Sequence, residues 1–219
     1  KENIIVVDSQ NNITKSDFAE YDVIKKILIS KSLTEIITTE NYVINGRNIV
    51  LDANKNVIKS GEKTTITDQD NNKIYLENFE YLKNENIFKS IGFIKIIDST
   101  ENSYEFSQIY IDTKKREILG TDTKAFMNNE KFKTDKTNKP RIFSNTIKLE
   151  DGLTTFNKSI FTLCDYRKED KCPPWSIQAS KMLHDNKKKT IYYDNAVVKI
   201  YDIPIFYFPK LSHPDPSVN

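Results

Sequence analysis

Four stretches spread along the chain share one plan: EYDVIKKILI (20–29), VLDANKNVIKSG (50–61), YIDTKKREILG (110–120) and MLHDNKKKTIYY (182–193). In each, a short strand ends at an aspartate (Asp22, Asp52, Asp112, Asp185), a Lys- or Asn-rich turn follows, and a second strand opens on an apolar residue. YLKNENIFKSIG (81–92) is a looser copy and KLEDGLTTF (148–156) another. An aspartate suits the start of such a turn because its carboxylate accepts backbone N–H groups two residues on. Copies spaced by roughly 28 to 38 residues are single supersecondary elements that cannot bury their apolar faces alone. Stacking is then obligatory. The pattern predicts an all-β chain, a β-solenoid or an elongated β-jelly roll of stacked, mostly antiparallel strands, with unpaired edge strands at its two ends.

The period between the turns agrees. NKIYLENFEYL (72–82), SQIYIDT (107–113) and TIYYDNAVVKIYDI (190–203) alternate with period two and are rich in Ile, Val, Tyr, Phe and Thr, which fit a pleated sheet; no sustained helical amphipathicity occurs. Hydrophobic residues make up 37% against 29% charged, with a mean hydropathy of −0.59, which favours a thin structure over a compact apolar ball. Residues 1–211 read as one jelly-roll domain and SHPDPSVN (212–219) as a linker, with a polar loop at 128–141 and a charged loop at 161–175. The start at Lys1, without an initiator Met or an apolar leader after it, reads as a processed segment. A net charge of +2 argues against a globally basic nucleic-acid binder, so no nucleic-acid partner is expected.

Catalytic and metal chemistry find little purchase. Cys164 and Cys172 are the two thiols, followed by Pro173 and Pro174, and in an oxidising compartment they could close a small loop; pairing with cysteines elsewhere is the alternative. A zinc site would need two more ligands, and His184 and His213 stand far off without metal-ligand spacing. Neither histidine lies in a nucleophile-bearing strand-turn-helix context, and no glycine-rich phosphate loop is present, so neither an enzyme nor a cofactor is expected. A carbohydrate-active solenoid enzyme would need a carboxylate pair or a Lys/Arg/Asp cluster at fixed spacing. Lys25, Lys26, Lys55, Lys114, Lys115, Arg116 and Lys187 to Lys189 fall in equivalent turns, which stacking aligns along one edge; hydrophilic turns that keep that edge soluble weigh more heavily than a phosphate-recognition strip.

The apolar positions are more informative. Phe88, Ile94, Ile96, Phe106, Ile109, Ile111 and Ile118 recur on alternate strand positions and are the candidate interior, lipid-facing residues; Ile27, Ile29, Ile49 and Leu51 belong to the same series. A narrow solenoid fills its interior with such side chains, or gapes and leaves a greasy groove. In a groove, each acyl methylene removed from water gains about 0.8 kcal/mol.

The last 48 residues, CPPWSIQASKMLHDNKKKTIYYDNAVVKIYDIPIFYFPKLSHPDPSVN (172–219), resemble the junction region of the LPS-assembly outer-membrane protein family LptD, also called OstA or Imp. The matching residues include Pro173-Pro174-Trp175, His184-Asp185, Ile191-Tyr192-Tyr193 and a barrel-junction motif of Pro204, Tyr207, Pro209, His213, Pro214, Asp215 and Pro216. Residues 18–160 match the diffuse OstA-type repeat that this family shares with periplasmic bridge proteins. The resemblance implies a periplasmic jelly roll that continues past the HPDP element into an outer-membrane β-barrel. It implies lipopolysaccharide as the cargo, its acyl chains passing through the jelly-roll interior. The implied partners are an LptA-like bridge protein docked by edge-strand pairing and an LptE-like lipoprotein through the barrel. NIIVV (3–7) is then the candidate docking edge, and Phe206, Tyr207 and Phe208 sit near the membrane interface. A bridge or scaffold of the same fold without a barrel is the alternative.

Overall fold

The computed structural model describes residues 2–8, 10–128, 140–150, 152–164 and 174–215. Its regular structure is all strand, and each pairing resolved between the described strands is antiparallel, the expected all-β jelly roll. The chain divides into two compact units, residues 1–99 with 107–116 and residues 100–106 with 117–219.

The first unit is built from β1 (Glu2–Val7), β2 (Ile13–Asp22), β3 (Ile27–Ser30), β4 (Thr34–Ile37), β5 (Val43–Gly46), β6 (Ile49–Asp52), β7 (Val57–Ser60), β8 (Thr64–Thr67), β9 (Lys73–Leu76), β10 (Phe79–Leu82) and β11 (Ile87–Ile97). These strands form two ladders. β1, the first half of β2, β4, β5, β8, β9 and the second half of β11 make one; the second half of β2, β3, β6, β7, β10 and the first half of β11 make the other. Thus β2 and β11 each bend from one ladder to the other, and the four-residue strands between them visit the ladders two at a time.

Two families of turns follow from this path, and their spacing is tighter than the sequence reading has it. Turns of the second ladder begin at Asp22, Asp52, Leu82 and Asp112, thirty residues apart; those of the first begin at Asp8, Thr38 and Asp68, also thirty apart. A constant period lets one turn hydrogen-bond to the next. Along the second ladder, the carbonyls of Lys26, Asn56 and Asn86 accept the N–H groups of Ala53, Lys83 and Thr113 at 2.9–3.1 Å. Those three acceptors have positive φ (53°, 54° and 57°), which turns their carbonyls along the stack and which asparagine tolerates well. Along the first ladder, Asn12 Oδ1 accepts Thr39 N–H at 3.1 Å and Asn72 Oδ1 accepts Ser99 N–H at 2.9 Å. The expected role of the aspartates holds: Asp22, Asp52, Asp112 and Asp185 each accept the N–H two residues on at 3.0–3.1 Å and the one after it at 2.8–3.0 Å. Where the chain changes ladder, buried hydroxyls take up the carbonyls the bend releases: Ser60 Oγ donates to Arg47 O at 2.7 Å and Ser90 Oγ to Asn78 O at 2.6 Å.

The second unit is a meander of longer strands: β13 (Glu117–Phe126), β14 (Arg141–Glu150), β15 (Leu153–Thr162), β16 (Trp175–Asp185), β17 (Thr190–Ile200) and β18 (Ile203–Pro214). β12 (Ser103–Asp112) is divided between the units. Asp122, Lys158 and Asn195 have positive φ at mid-strand, and the register skips a pair beside each, so the strands bend there. Across the bends runs a row of directly opposed residues, Gly120, Ile147, Phe156, Met182, Tyr193 and Leu211. The middle four are 0–1% exposed and form the core. Gly120 is required at its end of the row, because a Cβ there would lie 2.3 Å from the Phe106 ring. β18 continues the ladder through Ser212, His213 and Pro214, opposite Tyr192, Ile191 and Thr190. The linker expected from residue 212 is therefore strand as far as Pro214.

Candidate functional site

Inward parity is set by one cross-strand row in each ladder of the first unit. In the first ladder the opposed residues are Val6, Thr14, Ile36, Ile44, Ile66, Ile74 and Ile96. In the second they are Tyr21, Leu28, Leu51, Ile58, Tyr81 and Phe88. From Ile58 onward the second row is packed: Ile58 is 0% exposed, and Phe88 stacks on Phe79 at 5.2 Å and contacts Tyr81 at 6.5 Å. A cavity of only about 10 Å³ remains beside Tyr81, Phe88 and Ile111. Towards the N-terminal end the same row is uncovered. Ile4 and Val6 of β1 face Tyr21, Leu28, Leu51 and Val57 across a groove of about 810 Å³.

Among the candidate lipid-facing residues, Phe88, Ile94, Ile96, Ile109 and Ile111 are buried in the first unit, Phe106 is buried in the second, and Ile118 there is half-buried. None of them lines the groove. Ile27 and Ile29 stand opposite Asp52 and Val50, one residue out of step with the inner row, so it is Leu28 that faces the groove. In ILIS the first three residues are all apolar, so alternation alone gives no parity.

Charge is distributed unequally along the two sets of turns. Asp8, Glu40, Asp68 and Asp70 lie in first-ladder turns, whereas Lys25, Lys26, Lys55, Lys83, Lys114, Lys115 and Arg116 lie in second-ladder turns. Ion pairs cross from one set to the other. Arg116 pairs with Asp70 in solvent, and Lys83 Nζ lies 3.0 Å from Asp8 Oδ2 with its side chain only 8% exposed. Lys83 and Asp8 both border the groove, as does Lys26. Burial pushes the Asp8 carboxyl up, but hydrogen bonds from the Asn12 side chain, Lys83 and the backbone N–H groups of Asn12 and Gln10 outweigh it and hold the group below the usual carboxylate range. Sequence reasoning missed Asp8, Tyr21, Lys83 and Val57. The signal for Asp8 was available: DSQNN (8–12) and DQDNN (68–72) lie sixty residues apart, two turns of the first family.

The other carboxylates whose acidity the fold sets are turn caps. Asp22, Asp112 and Asp185 are held low first of all by the backbone N–H groups of Lys25, Lys115 and Lys188. Groups more acidic in the folded than in the unfolded state add stability above the unfolded pKa, and that stability is lost as the pH falls through the folded value. The thermal midpoint should therefore hold from neutral pH down to about 4 and decline below it. A midpoint that climbs on acidification would contradict the cap assignment.

In the second unit, Pro204, Tyr207 and Pro209 lie in β18, and residues 203–210 are all exposed, Phe206 and Tyr207 each 60%. His213 and Asp215 have structural partners. His213 Nδ1–H donates to Pro214 O at 2.6 Å, which leaves Nε2 to accept the Tyr193 hydroxyl at 2.9 Å; Asp215 accepts a hydrogen bond from His184 Nε2. Pro216 lies outside the described residues. Cys164 is half-buried just past β15, and the expected partner Cys172 also lies outside the described residues, so their pairing stays an expectation.

No family model matches the chain, and no curated protein matches it. A solved structure does. It is the crystal structure of LptH, the LptA homologous periplasmic component of the conserved lipopolysaccharide transport device from Pseudomonas aeruginosa. The identity is 21%, the match covers 51% of this chain and 82% of LptH, and the TM-score is 0.45, a likeness too loose to bear on function.

Proposed function

We propose that the chain is a non-catalytic lipid conduit, the periplasmic jelly-roll part of a lipopolysaccharide-assembly protein of the outer membrane. Its first unit holds acyl chains in the groove between β1 and the second ladder, with the sugar portion left in solvent. The observation that carries this reading is the continuous apolar row of the second ladder, open at Tyr21, Leu28 and Leu51 and closed over from Ile58. A chain of about twelve carbons laid along it gains on the order of 10 kcal/mol before ordering costs. The resemblance of residues 172–219 to the LptD junction supplies the cargo, the barrel that follows and the LptE-like lipoprotein. β1 has β2 as its one described strand partner and is the docking edge for an LptA-like bridge. Exposed aromatics of β18 suit the membrane interface. Photo-crosslinking from positions 28 and 51 tests the reading in cells, with lipopolysaccharide adducts as the expected result and their absence as the refutation.

A further inference from the structure

Lys83 is unusual for a groove that takes fatty chains, since a buried ammonium is costly unless paired. The two ends of its ion pair depend on it unequally. Asp8 Oδ1 accepts the N–H groups of Gln10 at 2.8 Å and Asn12 at 3.0 Å, and Oδ2 accepts Asn12 Nδ2 at 2.9 Å, so the carboxylate is fixed to its own turn with or without the lysine. Lys83 Nζ, by contrast, has Asp8 as its one polar partner among the described residues. The lysine belongs to a second-ladder turn by its backbone, whose N–H donates to Asn56 O at 3.0 Å, and reaches to the first-ladder turn with its side chain. When the two turns part to admit a chain, Asp8 keeps three hydrogen bonds and Lys83 loses its counter-charge against an apolar wall. A ligand with an anion at the head of its chain removes that cost. Lys26 lines the same wall, whereas Asp52 beside it is occupied in capping Asn54 and Lys55.

We propose that the Lys83–Asp8 pair is a clasp across the groove that a phosphate-bearing amphiphile opens, Lys83 passing from the Asp8 carboxylate to the phosphate as the acyl chain enters. The proposal rests on the conduit reading of the groove and adds to it the headgroup chemistry and the residue that reads it. A lysine suits the exchange, because it binds carboxylate and phosphate alike as a point charge on a flexible stem.

Binding of dioctanoyl phosphatidic acid and of dioctanoylglycerol, which has the same chains without the phosphate, tests the clasp on the whole chain, with inorganic phosphate as a third probe. The wild type is expected to prefer the phosphatidic acid by about tenfold, the scale of one charge-assisted contact at a partly desolvated site. Lys83→Met should bring the ratio to about one, with dioctanoylglycerol bound more tightly than by the wild type because no ammonium is then orphaned as the chain enters, while Lys83→Arg keeps the preference. Asp8→Asn, which removes the competing charge, should tighten phosphatidic acid several-fold. Equal binding of the two lipids by the wild type, or a preference that survives Lys83→Met, overturns the clasp alone. Inorganic phosphate binding as tightly as phosphatidic acid overturns the assignment to an amphiphile. Binding of neither lipid overturns the conduit reading and the clasp with it.

Discussion

Replacing Asp8 by alanine is expected to destabilise the first unit by about 3 kcal/mol, whereas Lys83→Met should cost only about 1 kcal/mol. The asymmetry follows from what each change leaves behind. Without the carboxylate, an ammonium on a side chain 8% exposed has no counter-charge; without the ammonium, the carboxylate keeps its bonds to Gln10 and Asn12. We take the low end of the range for a broken buried pair because Asp8 itself is 16% exposed. Asp68→Ala is the internal control. Asp68 accepts the same three bonds, from the Asp70 and Asn72 N–H groups and from Asn72 Nδ2, and has no ion pair among the described residues. The loss at Asp8 beyond the loss at Asp68 is then the cost of the orphaned charge. Hydrogen exchange at the amides of Ile58 and Tyr81 reads out this unit separately. Equal losses for Asp8→Ala and Lys83→Met, or no excess over Asp68→Ala, would count against a buried ion pair.

In the second unit the largest loss should come from Phe156→Ala, at about 4 kcal/mol. Phe156 is 0% exposed and stands between Ile147 and Met182 in the cross-strand row, each also fully buried. Strand residues on both sides hold those neighbours in register, so the site cannot collapse to fill the space of the lost ring. Denaturant unfolding followed by the fluorescence of Trp175, the chain's single tryptophan, measures it in this unit. A loss under about 1.5 kcal/mol would mean the row is loosely packed and the unit less ordered than described.

The fold was legible because turn chemistry and strand period are local. Aspartates at 22, 52, 112 and 185, each followed by a basic or Asn-rich turn, could be recognised without knowing which strands pair, and the structure gives their carboxylates the expected N–H partners. The thirty-residue period was blurred because the copies compared included 182–193, which belongs to a meander with other loop lengths, and because the Asp8, Thr38 and Asp68 turns lack the lysines that drew attention to the others. Parity was not legible. In β3 the four residues Ile27 to Ser30 carry three adjacent apolar side chains, and only pairing with β2 and β6 decides that Leu28 joins the inner row. The groove was invisible for a further reason. It exists where one ladder's row extends past the cover of the other, a property of how the ladders face each other, so the alternation that marked Phe88 and Ile111 led to the closed stretch of the interior. Lys83 gave no signal in the sequence because its partner is 75 residues away.

The account depends most on where a bound acyl chain lies. Photoreactive residues placed one at a time at Leu28, Leu51, Ile58 and Ile109, exposed to lipopolysaccharide in cells, locate it directly. Strong adducts from positions 28 and 51, weaker ones from 58 and little from 109 are the predicted pattern. Labelling confined to positions on the outer face such as Lys59, or stronger at Ile109 than at Leu28, would contradict it.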